Sequence, residues 1–352
     1  MDEPTALFDR LKRAGSREVV AVHHSASGLA AWIALDRPEL GPAFGGVRRR
    51  SYPSEGAALD DALKLARAMT EKCVLFDLPA GGAKAVVLRD RLTDPELGYR
   101  ELGRAVERLG GRFFTGPDVG TGLEELAFLS DETRYVTRPD EQGPGEIGRA
   151  TATGVERAIG VALEELDGAA QWAERTVVVQ GLGDVGERLA RSLRARGATV
   201  LGTDVDEDRL VRVTRDCDVV PLKPGSEYAT ACDVLAPCAV GGLVNRANVE
   251  TLAARVLCGS ANNMLADAET ASALAARDVL FVPDPVASSG GLLLGATFHL
   301  EGRRPSFEEI GDSVATATRR ILQRASAEGS TPTVALQRDV DERIEARMEG
   351  LA

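Results

Sequence analysis

Lysine is scarce in this chain: 352 residues hold 5 lysines against 37 arginines. Where a lysine stands, the chemistry points to an amine rather than a guanidinium. Two of the five frame a candidate reaction centre. Lys72 closes the run Met69-Thr70-Glu71-Lys72, and Lys84 follows Gly81-Gly82-Ala83. A buried amine close to other positive charge can lose its proton, which a guanidinium effectively cannot do. One lysine can then hold a carboxylate while the other serves as a base. A buried lysine pair beside a dinucleotide-binding module suggests base catalysis on a small carboxylate substrate.

Such a module is present in the second half. Thr176-Val-Val-Val-Gln180 reads as a buried strand, and Gly181-Leu182-Gly183-Asp184-Val185-Gly186 opens a helix running to Arg196. A further strand, Thr199–Thr203, ends at Asp204. The strand, glycine turn, helix and second strand with a terminal acid form the Rossmann fingerprint. Gly181 permits the tight turn, Gly183 lets a pyrophosphate approach and Gly186 brings helix and strand together. The helix N-terminus favours the pyrophosphate charge. Asp204 is placed to accept the adenosine ribose hydroxyls and to repel a 2′-phosphate, so the expected cofactor is NAD rather than NADP. A Rossmann-like core with another nucleoside cofactor, or with none, is the alternative.

Composition narrows the remaining classes. The chain is long enough for two domains with separate cores. A net charge of -12 opposes nonspecific nucleic-acid binding, and nothing resembles a basic stripe. The sequence opens Met1-Asp2-Glu3-Pro4, and no stretch approaches 18 apolar residues, so a cytoplasmic protein with no membrane span is expected. Cys73, Cys217, Cys232, Cys238 and Cys258 form no C-x-x-C pair and mostly sit in apolar runs that read as strands, hence as buried thiols. His23, His24 and His299 have no ligand spacing, so no metal site is expected.

Residues 17–24 and 28–36 read as a hairpin, followed by the turn Gly41–Gly46 and a short strand through Arg48. Ser54 caps a helix over about 56–71. Strands near 73–77 and 84–88 are expected around the glycine turn at 80–82, then a helix over 94–109, a strand at 112–115 and the loop Thr115–Thr121. Residues 138–148 read as a hinge. A helix over 149–166 leads into the Rossmann pattern, with further strands at 233–236, 255–258 and 279–282. Helices at 290–300, 306–327 and 333–348 complete the chain.

In these stretches the chain resembles the Glu/Leu/Phe/Val amino acid dehydrogenase family. The resemblance rests on Gly41-Pro-Ala-Phe-Gly-Gly46, Ala68-Met-Thr-Glu-Lys72, Leu78-Pro-Ala-Gly-Gly-Ala-Lys84, Thr115-Gly-Pro-Asp-Val-Gly-Thr121, Thr151-Ala-Thr-Gly-Val155, Gly181–Gly186, Ala236-Pro-Cys-Ala-Val-Gly241 and Gly259-Ser-Ala-Asn-Asn263, in that order. It looks most similar to the leucine, valine and phenylalanine branch. The resemblance implies an α/β fold: an N-terminal mixed-sheet catalytic and oligomerisation domain (1–142), a Rossmann NAD-binding domain (143–325) and C-terminal helices returning to the first domain (326–352). It also implies a homo-oligomer with substrate in the cleft between its lobes. The implied reaction is reversible, NAD-dependent and metal-free oxidative deamination of an L-amino acid to a 2-oxo acid and ammonia. Alternatives are a dehydrogenase of a non-proteinogenic amino acid in a biosynthetic pathway, or a silent regulatory relative.

By the same resemblance, Lys72 pairs with the substrate carboxylate, which the backbone at Gly45 and Gly46 helps to seat. Lys84 acts on water and the substrate amine, and Asp118 shuttles protons. On the cofactor side stand Thr151, Asp184, Val185, Ala239, Asn262 and Ser288. Two positions depart from the family pattern: Ala83 replaces a third glycine before Lys84, and Ser288 replaces an asparagine. Phe44 stands where glutamate enzymes carry a lysine, which removes the partner of a second acid group. Gly116 makes room for a ring, and Leu292 adds apolar surface. A large aliphatic or aromatic substrate is therefore expected.

Overall fold

A computed structural model describes residues 6–16, 18–138, 140–239, 241–242 and 244–350. The opening Met1–Pro4, Arg17 of the expected first strand, Pro139 of the hinge stretch and Val240 of the Ala236–Gly241 motif lie outside the described residues. The chain divides into two units. One is Met1–Gly145 with Phe298–Glu301 and Arg343–Ala352; the other is Glu146–Thr297 with Gly302–Glu342.

The first unit begins with α1 (Leu7–Ala14), followed by a hairpin of β1 (Glu18–His24) and β2 (Leu29–Asp36). Then come β3 (Ala43–Phe44), β4 (Val47–Arg50), α2 (Glu55–Leu75), β5 (Gly81–Leu88), α3 (Pro95–Arg108), β6 (Phe113–Phe114) and α4 (Leu123–Ser130). The sheet runs β1-β2-β5-β3-β6, with β4 also paired to β5. It is mixed: β1, β2 and β5 are antiparallel neighbours, while β3, β4 and β6 pair parallel. Because successive side chains point to opposite faces, β5 is buried on both. Ala34, Val86 and Leu88 pack against Ala58, Leu59, Ala62, Leu63 and Ala66 of α2. Ala83, Ala85 and Val87 pack with Tyr99, Leu102 and Val106 of α3 and Leu126 and Leu129 of α4.

Ser54 caps α2 by accepting the Ala57 N–H. The helix continues through Leu75, however, and the strand expected at 73–77 does not exist. Cys73, Val74 and Leu75 are fully or almost fully buried, but on a helix face. A short apolar run of this kind has no period to tell strand from helix. The break comes only at Asp77, with φ of 56°, before Leu78-Pro79.

The second unit contains α5 (Ile147–Asp167), β7 (Thr176–Gln180), α6 (Asp184–Ala195), β8 (Thr199–Thr203), α7 (Glu207–Cys217) and β9 (Val220–Pro221). It continues with β10 (Cys232–Pro237), β11 (Ala254–Leu257), α8 (Ala268–Ala276), β12 (Leu280–Phe281) and α9 (Asp284–Ala287), then α10 (Gly290–Glu301), α11 (Phe307–Glu328) and α12 (Pro332–Glu349). Its sheet is parallel throughout, in the order β12-β11-β10-β7-β8-β9. Strand order reverses between β7 and β10, the doubly wound arrangement in which ligands bind beyond the carboxyl ends of those strands. The fold is thus a mixed-sheet α/β unit and a Rossmann-like unit with C-terminal helices. Residues 302–342 group with the second unit, so the return to the first is shorter than one starting at 326. It comprises Phe298–Glu301 at the end of α10 and the chain from Arg343. α11 packs along α5, which keeps it in the second unit. No helix among the described residues is long and apolar enough to cross a membrane.

Candidate active site

Thr70, on α2, fixes the approach of α2 to β5. Its hydroxyl donates to Asp36 Oδ2 at 2.7 Å and accepts the Gly82 N–H at 2.9 Å. A Cβ on Gly82 would fall 2.1 Å from the Thr70 nitrogen, so only glycine permits the contact. Lys72 lies two residues beyond Thr70, and Lys84 two beyond Gly82. Both are nearly buried, at 8% and 6% exposure. Burial raises the Asp36 carboxyl above its ordinary value, opposed mainly by the Thr70 hydrogen bond.

Lys84 reaches across to Asp118. Its Nζ lies 2.8 Å from Asp118 Oδ2, which also accepts Arg48 Nε at 2.9 Å. Arg48 extends to Asp61, 3.3 Å away, and the Tyr52 hydroxyl donates to the same Asp61 oxygen at 2.6 Å. Burial favours a neutral Asp118, but Lys84 and Arg48 outweigh it and hold the carboxyl at about 2. Burial pulls Lys84 below the ordinary lysine value, aided by the Arg48 charge and only partly offset by Asp118. The result is a buried base candidate touching an ionised carboxylate. Arg48, Asp61 and Tyr52 are the members that sequence reasoning missed. The available signal was Arg48 itself, directly after Gly45-Gly46-Val47.

Gly46 brings its chain against the Asp118 loop, where a Cβ would lie 2.6 Å from the Pro117 oxygen. Gly45 is close by, but its N–H already donates to the Phe114 carbonyl at 3.1 Å. That donor is not open to a substrate carboxylate. Phe44 stacks on Phe114, with ring centres 5.1 Å apart. A Cβ on Gly116 would come 3.4 Å from Thr137 Cβ. Leu292 belongs to the second unit, on α10.

In the second unit, Gly183 caps α6, and a Cβ there would meet nothing within 4 Å. A Cβ on Gly186 would instead strike the Gly181 oxygen at 1.9 Å. The turn is therefore tight inside and open outside, as a pyrophosphate cradle requires. Gly181 also abuts Ala239, and Gly241 abuts Asn262, so the loops after β7, β10 and β11 meet in series. Asp184 accepts Arg188 Nε at 2.9 Å, and Val185 follows it in the first turn of α6. Asp204 accepts N–H groups from Leu182 at 2.7 Å and Asp206 at 2.9 Å. Arg209 Nη1 also lies within 3.3 Å of both its oxygens. Burial opposes charge on Asp204, yet these donors hold its carboxyl below the ordinary range. The acid thus carries a cation of its own, which the sequence reading did not include. Thr151 donates to Ile147 O, and Gly291 fits closely against the Thr151 hydroxyl. Ser288 turns its hydroxyl to the Asp284 carbonyl at 2.6 Å, so that proton is engaged within α9. Among the described residues, no group of three or more His, Cys, Asp or Glu is placed to hold a metal ion.

Residues 17–135 match the family described as Glu/Leu/Phe/Val dehydrogenase, dimerisation domain, and residues 204–338 match Glutamate/Leucine/Phenylalanine/Valine dehydrogenase. Leucine dehydrogenase of Bacillus cereus is 34% identical, over 96% of this chain and 93% of that protein. The chain belongs to the Glu/Leu/Phe/Val dehydrogenase family. Another member, valine dehydrogenase of Streptomyces coelicolor, is 37% identical over 95% of this chain and 93% of its own. Among solved structures, L-tryptophan dehydrogenase from Nostoc punctiforme superposes with a TM-score of 0.81 at 30% identity, covering 97% of this chain and 99% of that one. These dehydrogenases are named for different amino acids, so family membership leaves the side chain open. Against the family pattern, Ala83 points into the α3 and α4 core, where its methyl is fully buried.

Proposed function

We propose that the protein catalyses the reversible oxidative deamination of a large nonpolar L-amino acid, aliphatic or aromatic, to the 2-oxo acid and ammonia, with NAD as cofactor. The observation that carries this reading is the buried Lys84–Asp118 contact at 2.8 Å, beside a second buried lysine in a chain of this family. NAD, when bound, supplies the acceptor for the Cα hydride. Gly183 and the N-terminus of α6 hold its pyrophosphate, and Asp204 holds its adenosine ribose. Thr151, Asn262 and Ser288 serve the nicotinamide side.

Lys72 pairs with the substrate carboxylate. Lys84 in its neutral form takes a proton from the substrate ammonium, since an amine must be neutral before its carbon gives up hydride. Lys84 hands that proton to Asp118, 2.8 Å away, and is neutral again. Once the substrate is an iminium, Lys84 takes a proton from water as the oxygen bonds to carbon and the C=N π pair returns to nitrogen. Asp118 passes the proton it received from Lys84 to the nitrogen, and the C–N bond breaks with its electron pair leaving on ammonia. The hydroxyl proton goes to solvent as the C=O of the 2-oxo acid forms. Burial next to Arg48 is what makes Lys84 a usable base. Phe44 gives no ammonium to a second substrate carboxylate, which disfavours glutamate. Assembly into a homo-oligomer through the first unit is part of this reading, supported by the dimerisation-domain match over 17–135.

A screen of NADH formation over the L-amino acids at alkaline pH, with the ammonia-dependent reverse reaction, tests the proposal. Turnover is expected with leucine-sized or aromatic substrates. Silence in both directions from folded protein that binds NAD overturns it.

A further inference from the structure

Lys84 shares a sheet face with two aromatic rings. Ala34, its register partner on β2, and Val86, two residues along β5, both pack toward α2, so Lys84 and Gly82 lie on the α2 face. Phe44 is in register with Gly82, and Phe114 with Phe44. Both phenylalanines therefore stand on the Lys84 face, one and two strands away, or about 5 and 10 Å. His299 tilts over them, its ring centre 4.6 Å from Phe114 and 6.2 Å from Phe44. The imidazole Nε2 lies 3.1 Å from Thr137 Oγ1. Thr137 in turn borders the space that the missing side chain of Gly116 leaves open, two residues before Asp118. A side chain attached to a carbon at Lys84 and Asp118 would thus run along Phe44 and the Gly116 gap, and end at a polar pair.

We propose that Thr137 and His299 form a specificity site for aromatic L-amino acids whose ring carries an N–H or O–H, an indole or a phenol, in preference to a bare phenyl ring or an alkyl chain. This rests on the dehydrogenase reading above. Burial pushes the His299 imidazole down to about 4, so it is neutral at working pH, with one N–H and one lone pair. Its Nδ1 has no protein partner among the described residues. Thr137 adds a hydroxyl that can donate or accept. The pair can therefore take a hydrogen bond from a ring N–H or O–H, while a phenyl ring leaves the two groups satisfied by each other. That mutual satisfaction limits the discrimination to roughly tenfold, far below that of a site with no internal partner.

The test compares wild type with Thr137→Val, Thr137→Ser, His299→Leu and His299→Asn, each checked for folding by circular dichroism. Two readouts are taken on the NAD-loaded protein. One is kcat/KM for L-tyrosine and L-tryptophan relative to L-phenylalanine. The other is calorimetric affinity for 3-(4-hydroxyphenyl)propanoate and indole-3-propanoate relative to 3-phenylpropanoate, which lack the reacting amine. Wild type should favour the phenol, the indole or both by roughly tenfold, and the arm that wins identifies the ring. The ratio should collapse in Thr137→Val and His299→Leu, and recover at least partly in Thr137→Ser and His299→Asn. A wild-type preference for the phenyl ligands, or a ratio unmoved in both Thr137→Val and His299→Leu, overturns the proposal. Polar-ring binding with no turnover of any amino acid would defeat the dehydrogenase reading and leave this site standing.

Discussion

At Asp118 two cations meet one carboxylate, and the consequences can be read separately. Asp118→Asn removes the proton carrier while keeping its shape, so kcat should fall by ~10²-fold or more. It also removes the group that raises Lys84, so any residual activity should begin its rise at lower pH; a full pH profile of kcat checks both effects. The stability sign follows from linkage. The folded Asp118 carboxyl, at about 2, lies below its ordinary 3.8, so its contribution is present above the ordinary value and lost as pH falls through the folded one. Thermal melts of wild type and Asp118→Asn should therefore converge over that window. On the cofactor side, Arg209 faces both oxygens of Asp204 and offsets the charge that would repel a 2′-phosphate. Arg209→Ala should widen the preference for NAD over NADP and Asp204→Ala should narrow it, both measured as calorimetric Kd. An unchanged ratio in both variants would remove Asp204 from the discrimination.

Among the elements, the contact of α2 with β5 governs where both lysines stand. Thr70 ties the helix to the Gly82 N–H and to the buried Asp36. Thr70→Val leaves that N–H and the carboxylate without their partner, which should cost about 1–3 kcal/mol. Gly82→Ala forces a methyl against the Thr70 nitrogen and the Ala66 oxygen, with an expected loss of about 3 kcal/mol. Urea unfolding measures both. Activity in Gly82→Ala should fall further than stability alone explains, because the strand carrying Lys84 must shift. Near-wild-type values of kcat and midpoint in that variant would show that α2 and β5 do not set the lysine geometry.

For the whole molecule, two separate cores mean that NAD should act on one unit. NAD at about 100 times its Kd should stabilise what it binds by about 2.7 kcal/mol. Hydrogen exchange should slow across residues 176–204, which hold β7, the glycine turn and β8, and stay unchanged along β5 in the first unit. Equal slowing in both would show that the cofactor also orders the lysine-bearing sheet.

Much of the site was legible because its signals are local. The strand, glycine turn and helix around Gly181–Gly186 occupy one continuous stretch, Thr176–Ala195, and Gly186 packs against Gly181 within the same turn. The two lysines stood out through the scarcity of their kind, and Asp118 through its short motif. What the sequence could not supply depends on residues far apart in the chain. Arg48 and Asp118 are separated by 70 positions, and Thr137 and His299 by 162. No periodicity encodes such pairings. Val47 and Arg49 of β4 donate to the Gly116 and Val119 carbonyls and so set Arg48 beside Asp118, while His299 reaches Thr137 from the end of α10. The same reason explains the run at 73–75, whose burial was readable but whose helical form was decided by the packing of α2 on the sheet. Arg209, only five residues past Asp204, is a local partner that the start of α7 turns back onto the carboxylate. Local composition selected the chemical groups, and tertiary contact decided which of them share a charge.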